Sequence, residues 1–430
     1  MTYLRPLCLD MTSPKFGHDM LQYFLLDPNY TNVNHGSFGS LPKPVFDACN
    51  ELSLELESSP DRFLRLKYEP LLNDVRMQLA QLLGTDTDEI VLVPNVATGI
   101  NTVLRNFEWS EGDVLLTTTT TFDSVSRAVK DISQRTPCPT VSTFLLLLPD
   151  SHANIVSKFR EHMRALKDSL APNAKIVAII DSIASSPGVL FPWREMVQVA
   201  KEVGAFTMVD GAHSIGQEVD LELGKAAPDF WVSSLHKWLY AKRGCGVLYV
   251  PKRNQHIIKS ALPTACNYLA LTVNFIESPF VAEFLWFGAA EVTPALSVRA
   301  ALDFRTSLGG EKKINDYCHT LAVAAGKVLA TILGTQVMDS SVEGELIPNM
   351  VNVELPLSGD IKPSPVIAKM FVEKLLLEHK VYGGHFYHNG KWWTRASAQV
   401  YNELGDYEKL GEALVVVCKE IAGSQDVPLL

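Results

Sequence analysis

Two short segments carry residues whose types and spacing could do chemistry: Val209-Asp210-Gly211-Ala212-His213 and Ser233-Ser234-Leu235-His236-Lys237-Trp238. Each begins where an apolar run ends, Phe206–Val209 in the first and Phe230–Val232 in the second. Short apolar runs bounded by polar residues read as buried strands of a parallel sheet. Ligands of such sheets bind at the carboxyl ends of the strands. An Asp and a Lys on two strand ends are the two charges that pyridoxal phosphate (PLP) chemistry needs. The lysine forms a Schiff base, and the aspartate keeps the pyridine nitrogen protonated so that the ring accepts electrons.

A third segment, Val93-Pro94-Asn95-Val96-Ala97-Thr98-Gly99, follows an apolar run and opens a helical pattern. Backbone N–H groups at a helix start, with a Thr98 hydroxyl beside them, make an anion site; an ordinary helix capped by Thr98 is the plainer reading. Asp210 is either the partner of a ring nitrogen or a helix cap. His213 either meets the cofactor's phenolate oxygen or fills the core. Lys237 has a surface alternative, against which stand its neighbours Leu235 and Trp238, while Ser234 and His236 could donate to a phosphate. Phe122 either stacks on a ring or packs in the core. GxGxxG and GxxxxGK[ST] are both absent, so neither a dinucleotide nor a P-loop nucleotide explains the set better.

Strands must hold these residues, and seven are expected: Ile90–Val93, Val114–Thr118, Thr143–Leu148, Ile176–Ile180, Phe206–Val209, Phe230–Val232 and Gly246–Val250. Helical patterns such as Ser124–Ile132 and Trp193–Val203 lie between them, a rhythm that predicts an α/β, doubly wound, mostly parallel sheet. Residues 1–59 read as an amino-terminal arm and helix, 60–298 as a large domain, and 299–430 as a smaller α+β domain. In that last part helices Val298–Leu308, Ile314–Leu333, Pro365–His379 and Leu410–Ile421 alternate with strands Asn349–Leu355 and Trp392–Ala396.

The 430 residues are 20% charged and 47% hydrophobic, an ordinary globular composition. A net charge of −10 without a basic block excludes a nucleic-acid partner. The longest apolar run, Phe144–Leu148, is too short to cross a bilayer. Met1–Pro6 does not read as a secretory signal, nor Val427–Leu430 as a peroxisomal or retention tag. Seven cysteines without a CxxC spacing favour free thiols in the cytoplasm. No metal site is expected.

The combination of the S-x-H-K and D-x-A-H segments, in this order, resembles the class V aminotransferase branch of fold-type I PLP-dependent enzymes. Asn34-His35-Gly36-Ser37-Phe38-Gly39 and Pro60-Asp61-Arg62-Phe63 make it similar to the isopenicillin N epimerase and hercynylcysteine sulfoxide lyase group. The resemblance runs from about Leu25 to Tyr401. It implies Lys237 as the residue bound to PLP, Asp210 at the ring nitrogen, His213 and Ser185 near the phenolate oxygen, and Phe122 over the ring. It also implies Ala97, Thr98, Ser234 and His236 at the phosphate, Arg395 on the substrate carboxylate, and Asn34 and His35 lining the substrate mouth. A homodimer is implied as well.

Three departures accompany the resemblance. Trp286-Phe287-Gly288-Ala289 has alanine where the family's partner-subunit segment offers a threonine hydroxyl to the phosphate. No cysteine lies between Cys318 and Cys418, which excludes the persulfide chemistry of cysteine desulfurases. Phe122 stands where relatives often have His or Tyr and cannot move a proton. The expected activity is that of a PLP enzyme acting on an α-amino acid through an external aldimine and a Cα-deprotonated quinonoid, in C–S lyase or Cα-condensing chemistry. The alternatives are an epimerase, an aminotransferase, or a non-catalytic binding protein on a transferase fold.

Overall fold

The structure, a computed structural model, describes residues 15–258, 278–339, 341 and 344–424. The terminal segments Met1–Pro6 and Val427–Leu430 lie outside them. The strands are β1 (Thr31–Asn32), β2 (Ile90–Val93), β3 (Val114–Thr118), β4 (Thr140–Phe144), β5 (Ile176–Asp181), β6 (Phe206–Asp210), β7 (Phe230–Ser234), β8 (Gly246–Tyr249), β9 (Met350–Glu354), β10 (Val381–Tyr382), β11 (Gly384–His388) and β12 (Lys391–Ser397). Seven of these form one sheet in the order β2-β8-β7-β6-β5-β3-β4. Only β8 runs against its neighbours; the other pairings are parallel. The mostly parallel α/β expectation therefore holds.

Helices cover both faces, which is why the inner strands are apolar at nearly every position rather than alternating. Val177, Ile179, Met208 and Val232 face the helices Val96–Asn106 and Asp123–Ser133. Ala178, Ile180, Val209 and Trp231 pack on the opposite side with Met196 and Val197 from the helix Trp193–Glu202. Polar side chains at the carboxyl ends of β5, β6 and β7 end this packing and open the site.

One strand is misplaced by the sequence reading. β4 spans Thr140–Phe144, not Thr143–Leu148, because its register against β3 pairs Val114 with Thr140 and Thr118 with Phe144. It is an edge strand, so the apolar Leu145–Leu148 run is not what selects its position. In that run Leu146 and Leu148 are buried, while Leu145 and Leu147 are exposed. The helix expected over Pro365–His379 is α-helical over Pro365–Glu373 and continues as a wider π turn over Lys374–Glu378.

A second sheet, antiparallel in the order β11-β12-β9, presents Arg395 at its centre, opposite Asn352 of β9 and Gly384 of β11. Asn352 ties this sheet to the large one. Its side-chain amide donates to the Gly188 carbonyl and its oxygen accepts the Gly188 N–H, both at 2.9 Å. From the amino-terminal region, β1 pairs with β10, which carries the segment Asn34–Gly39 over the same junction. Among the described residues no helix is long and apolar enough to cross a membrane.

Candidate active site

Lys237 lies in the loop that follows β7, three residues past Ser234. Its Nζ stands 3.1 Å from His213 Nε2. The other ring nitrogen, His213 Nδ1, accepts a hydrogen bond from the Trp238 indole N–H at 3.1 Å. An indole nitrogen only donates, so Nδ1 carries no proton and the neutral ring presents an Nε2–H towards Lys237. Burial, reinforced by the Lys237 charge, holds the imidazole well below its usual range, which keeps it neutral. Lys237 itself is lowered to about 8 by burial, with Asp210 opposing the shift and Arg395 adding to it.

Asp210 is 4% exposed and accepts the Ala212 N–H at 3.0 Å. Burial raises its carboxyl, and the Ala212 hydrogen bond and the Lys237 charge pull the other way. Among the described residues no side chain forms an ion pair with it, so a buried carboxylate is left with room for one cation. A protonated pyridine nitrogen meets that need.

Nearby, the amino end of the helix Val96–Asn106 reaches β8. A Cβ on Gly246 would lie 3.5 Å from the Asn95 carbonyl carbon, and Gly246 is the register partner of Ser234. Ala97 and Thr98 are half-buried at this helix start. The cap is Asn95 and not Thr98: Asn95 Oδ1 accepts both the Thr98 N–H at 2.9 Å and the Thr98 hydroxyl at 3.1 Å. His236, on the other side, has a buried Nδ1 without a partner. A close approach fixes this loop, since Gly39, at φ +67°, packs so tightly that a Cβ there would sit 1.9 Å from the His236 carbonyl oxygen.

Arg395 is 4% exposed, which rules out a surface role. One guanidinium nitrogen donates to the Ser185 carbonyl at 2.6 Å and the Ser185 hydroxyl at 3.2 Å. The second donates to Asn34 Oδ1 at 3.0 Å and Ser37 Oγ at 2.7 Å. All four acceptors are neutral, and Nε is buried without a partner. Burial lowers the group to about 10. A buried guanidinium without an acid beside it is a site for an anion, and its fork suits a carboxylate.

Lys237, His213 and Asp210 come together, and Arg395 joins Ser185 and Asn34. Ser185 Oγ accepts from Arg395, which leaves its own O–H free to donate to a ligand. Phe122 is 51% exposed and belongs to neither core, so the core-aromatic alternative fails. His35 does not line a mouth: it is 1% exposed, with Nδ1 on the Tyr401 hydroxyl at 3.0 Å and Trp238 and Tyr240 around it. Burial depresses it to about 3, so it is a neutral core residue. Ala289 is exposed.

The sequence reading missed Asn352, Ser37 and Asp181. An asparagine at an apolar position of Met350-Val351-Asn352-Val353 was the one available signal, since buried amides require partners. Because Trp238 fixes the tautomer of His213, Trp238→Phe is expected to cut kcat about tenfold, one lost hydrogen bond near 1.4 kcal/mol, with KM little changed. Steady-state kinetics with circular dichroism as a folding control check this.

An Asp and a Lys on adjacent strand ends of a mostly parallel sheet, with a buried guanidinium across from them, define a fold-type I PLP-dependent enzyme. The chain belongs to the aminotransferase class-V family, which it matches over residues 39–359. That family works with PLP, and PLP is the cofactor here. It is 34% identical to the L-cysteine desulfhydrase-like protein lolT1 of Epichloe uncinata, over 94% of this chain and 96% of that one. It is 30% identical to hercynylcysteine sulfoxide lyase of Schizosaccharomyces pombe, over 94% and 98% of the two chains. Among solved structures, the fold is similar to that of the cystine C–S lyase C-DES in complex with cysteine persulfide. There the TM-score is 0.71 at 19% identity, covering 90% of this chain and 97% of that one. The resemblance to the sulfoxide lyase group is thereby borne out.

Proposed function

We propose that this protein is a PLP-dependent C–S lyase that removes a sulfur substituent from Cβ of a cysteine-type α-amino acid. The observation that carries the reading is the buried amine of Lys237, held beside a neutral His213 and facing the anion site of Arg395. Similarity to a desulfhydrase-like protein and a sulfoxide lyase supports the choice of a carbon–sulfur bond.

Bound here, PLP supplies an electron-withdrawing ring that stabilises negative charge at the substrate's Cα. Arg395 grips the substrate carboxylate, exchanging neutral acceptors for an anion. That grip would orient the substrate's Cα towards Lys237. Lys237, with its amine lowered to about 8, is a competent base at that carbon near neutral pH. Asp210 would balance the positive charge at the ring nitrogen, and the His213 Nε2–H would be the donor for the phenolate oxygen. Ser234, His236, Ala97 and Thr98 would hold the phosphate, and Phe122 would cover the ring without moving protons. Removal of the Cα proton and departure of the sulfur group leave a three-carbon enamine, which water converts to pyruvate and ammonia.

A homodimer is part of the proposal. Phe38, 72% exposed beside the Arg395 ligand Ser37, supports an arrangement in which a second copy covers that surface. A reducing, cytoplasmic setting is supported by free cysteines at 49, 138, 245, 318 and 418. The division at residues 59 and 298 is likewise proposed.

The test supplies purified holoenzyme with L-cysteine, S-alkylcysteines and S-alkylcysteine sulfoxides, and measures pyruvate, ammonia and the released sulfur species. Equal amounts of pyruvate and ammonia are expected from at least one class. Formation of a D-amino acid, or amino transfer that requires an added oxo acid, without pyruvate would overturn the lyase reading.

A further inference from the structure

Asp181 ends β5 as Asp210 ends β6, and the two are direct register partners in the parallel ladder. Partners in such a ladder project to the same side of the sheet, here the side on which Val177, Ile179 and Met208 precede them. Asp181 is 5% exposed and Asp210 4%. Two carboxyl groups thus share one dry corner of the site. Their surroundings are unequal. Asp210 has the Ala212 N–H and the charge of Lys237, whereas Asp181 meets hydroxyls: Thr120 Oγ1 lies 3.5 Å from its Oδ2 and 2.9 Å from Thr118 Oγ1. Among the described residues no lysine, arginine or histidine forms an ion pair with Asp181.

Adjacent buried carboxyls cannot both ionise without cost, and the one lacking a cation keeps the proton. We infer that Asp181 is a positioning residue that stays protonated at neutral pH, so that the pair holds a single negative charge lodged on Asp210. The inference rests on the PLP reading, in which Asp210 faces the ring nitrogen. Burial and the Asp210 charge push the Asp181 carboxyl well above the usual carboxylate range, and the threonine hydroxyls offset this only partly. The charged group that acts on the pair is Lys237, from the loop after β7, while the β3 side contributes the uncharged Thr118 and Thr120. A second negative charge here would draw Lys237 towards its ammonium form and weaken it as a base. The proton on Asp181 therefore protects the reactivity of Lys237.

The sign of the pH effect follows from linkage. A carboxyl raised in the fold above its unfolded value of ~3.9 favours folding fully below that pH. The contribution is lost as pH climbs towards the folded value. Asp181→Asn, a neutral isostere, lacks this loss. Its unfolding equilibrium constant is expected to improve on wild type by up to about tenfold per pH unit between pH 5 and 8. Thermal and denaturant unfolding of the full-length holoenzyme and of the cofactor-stripped protein measure this. At pH 7 the far-UV circular dichroism of the variant should match that of wild type, as a neutral-for-neutral exchange requires.

A variant that loses ground to wild type as pH rises, or parallels it, overturns the inference. If Asp181→Asn does not accumulate as soluble protein, Asp181→Ser carries the same expectation. If neither does, isotope-edited infrared of wild type decides, since a protonated aspartate band at pH 7 is required. Borohydride labelling at Lys237 is run in parallel. A parallel pH trend in protein that labels at Lys237 sinks this inference alone, whereas labelling elsewhere sinks the PLP reading beneath it.

Discussion

Lys237→Ala is expected to lower turnover of a cysteine-type substrate by about 10⁴-fold or more, the upper end of what a positioned base supplies, with covalent attachment lost as well. No other described lysine stands next to His213 and Asp210, so no substitute amine is at hand. Borohydride treatment followed by peptide mapping should label Lys237 in wild type and nothing in the variant. The same amine sets a pH signature. Burial lowers it to about 8, so below that pH it is mainly ammonium and above it mainly amine. The rate at which cofactor-free protein captures PLP covalently should therefore rise with pH and level off above about 8. A rate that rises only near pH 10 would mean that Lys237 is solvated as an ordinary surface lysine, and the site's geometry would be wrong.

The second large effect falls on Arg395. Arg395→Ala leaves a substrate carboxylate in a buried place without its counter-charge, a loss of about 3–5 kcal/mol and so of about 10²–10⁴ in kcat/KM. Arg395→Lys keeps the charge but not the fork, and leaves some of the Ser185, Asn34 and Ser37 acceptors unpaired. It should retain about a tenth to a hundredth of the wild-type kcat/KM. Cysteamine, which lacks the carboxylate, separates binding from general damage. The wild-type preference for cysteine over cysteamine should collapse in Arg395→Ala. A preference that survives would place the carboxylate elsewhere.

The arm residues show how a local motif and its tertiary role diverge. In Asn34-His35-Gly36-Ser37 the family resemblance implies that Asn34 and His35 line the substrate mouth. In the fold Asn34 and Ser37 orient Arg395, while His35 turns inward onto Tyr401. Consecutive residues of a short helical turn point in different directions, and only the packing of Trp238 and Tyr240 decides which direction is the core.

The chain's own order of residues determined the sheet and its chemistry. Apolar runs that stop at Asp210 and Ser234 are continuous because both faces are covered, and that continuity is visible one residue at a time. The pairing of Asp and Lys ends followed from the same pattern. β4 escaped because an edge strand is placed by its register with β3 rather than by its own hydrophobicity. Asp181 escaped for a related reason: its meaning lies in a neighbour 29 positions away, which the β5–β6 register alone puts beside it. The same holds for Asn352 and Gly188, whose two hydrogen bonds bring Arg395 to the large sheet. Strand character is a short-range property of side chains, whereas charge balance in a buried site depends on which strand ends become neighbours.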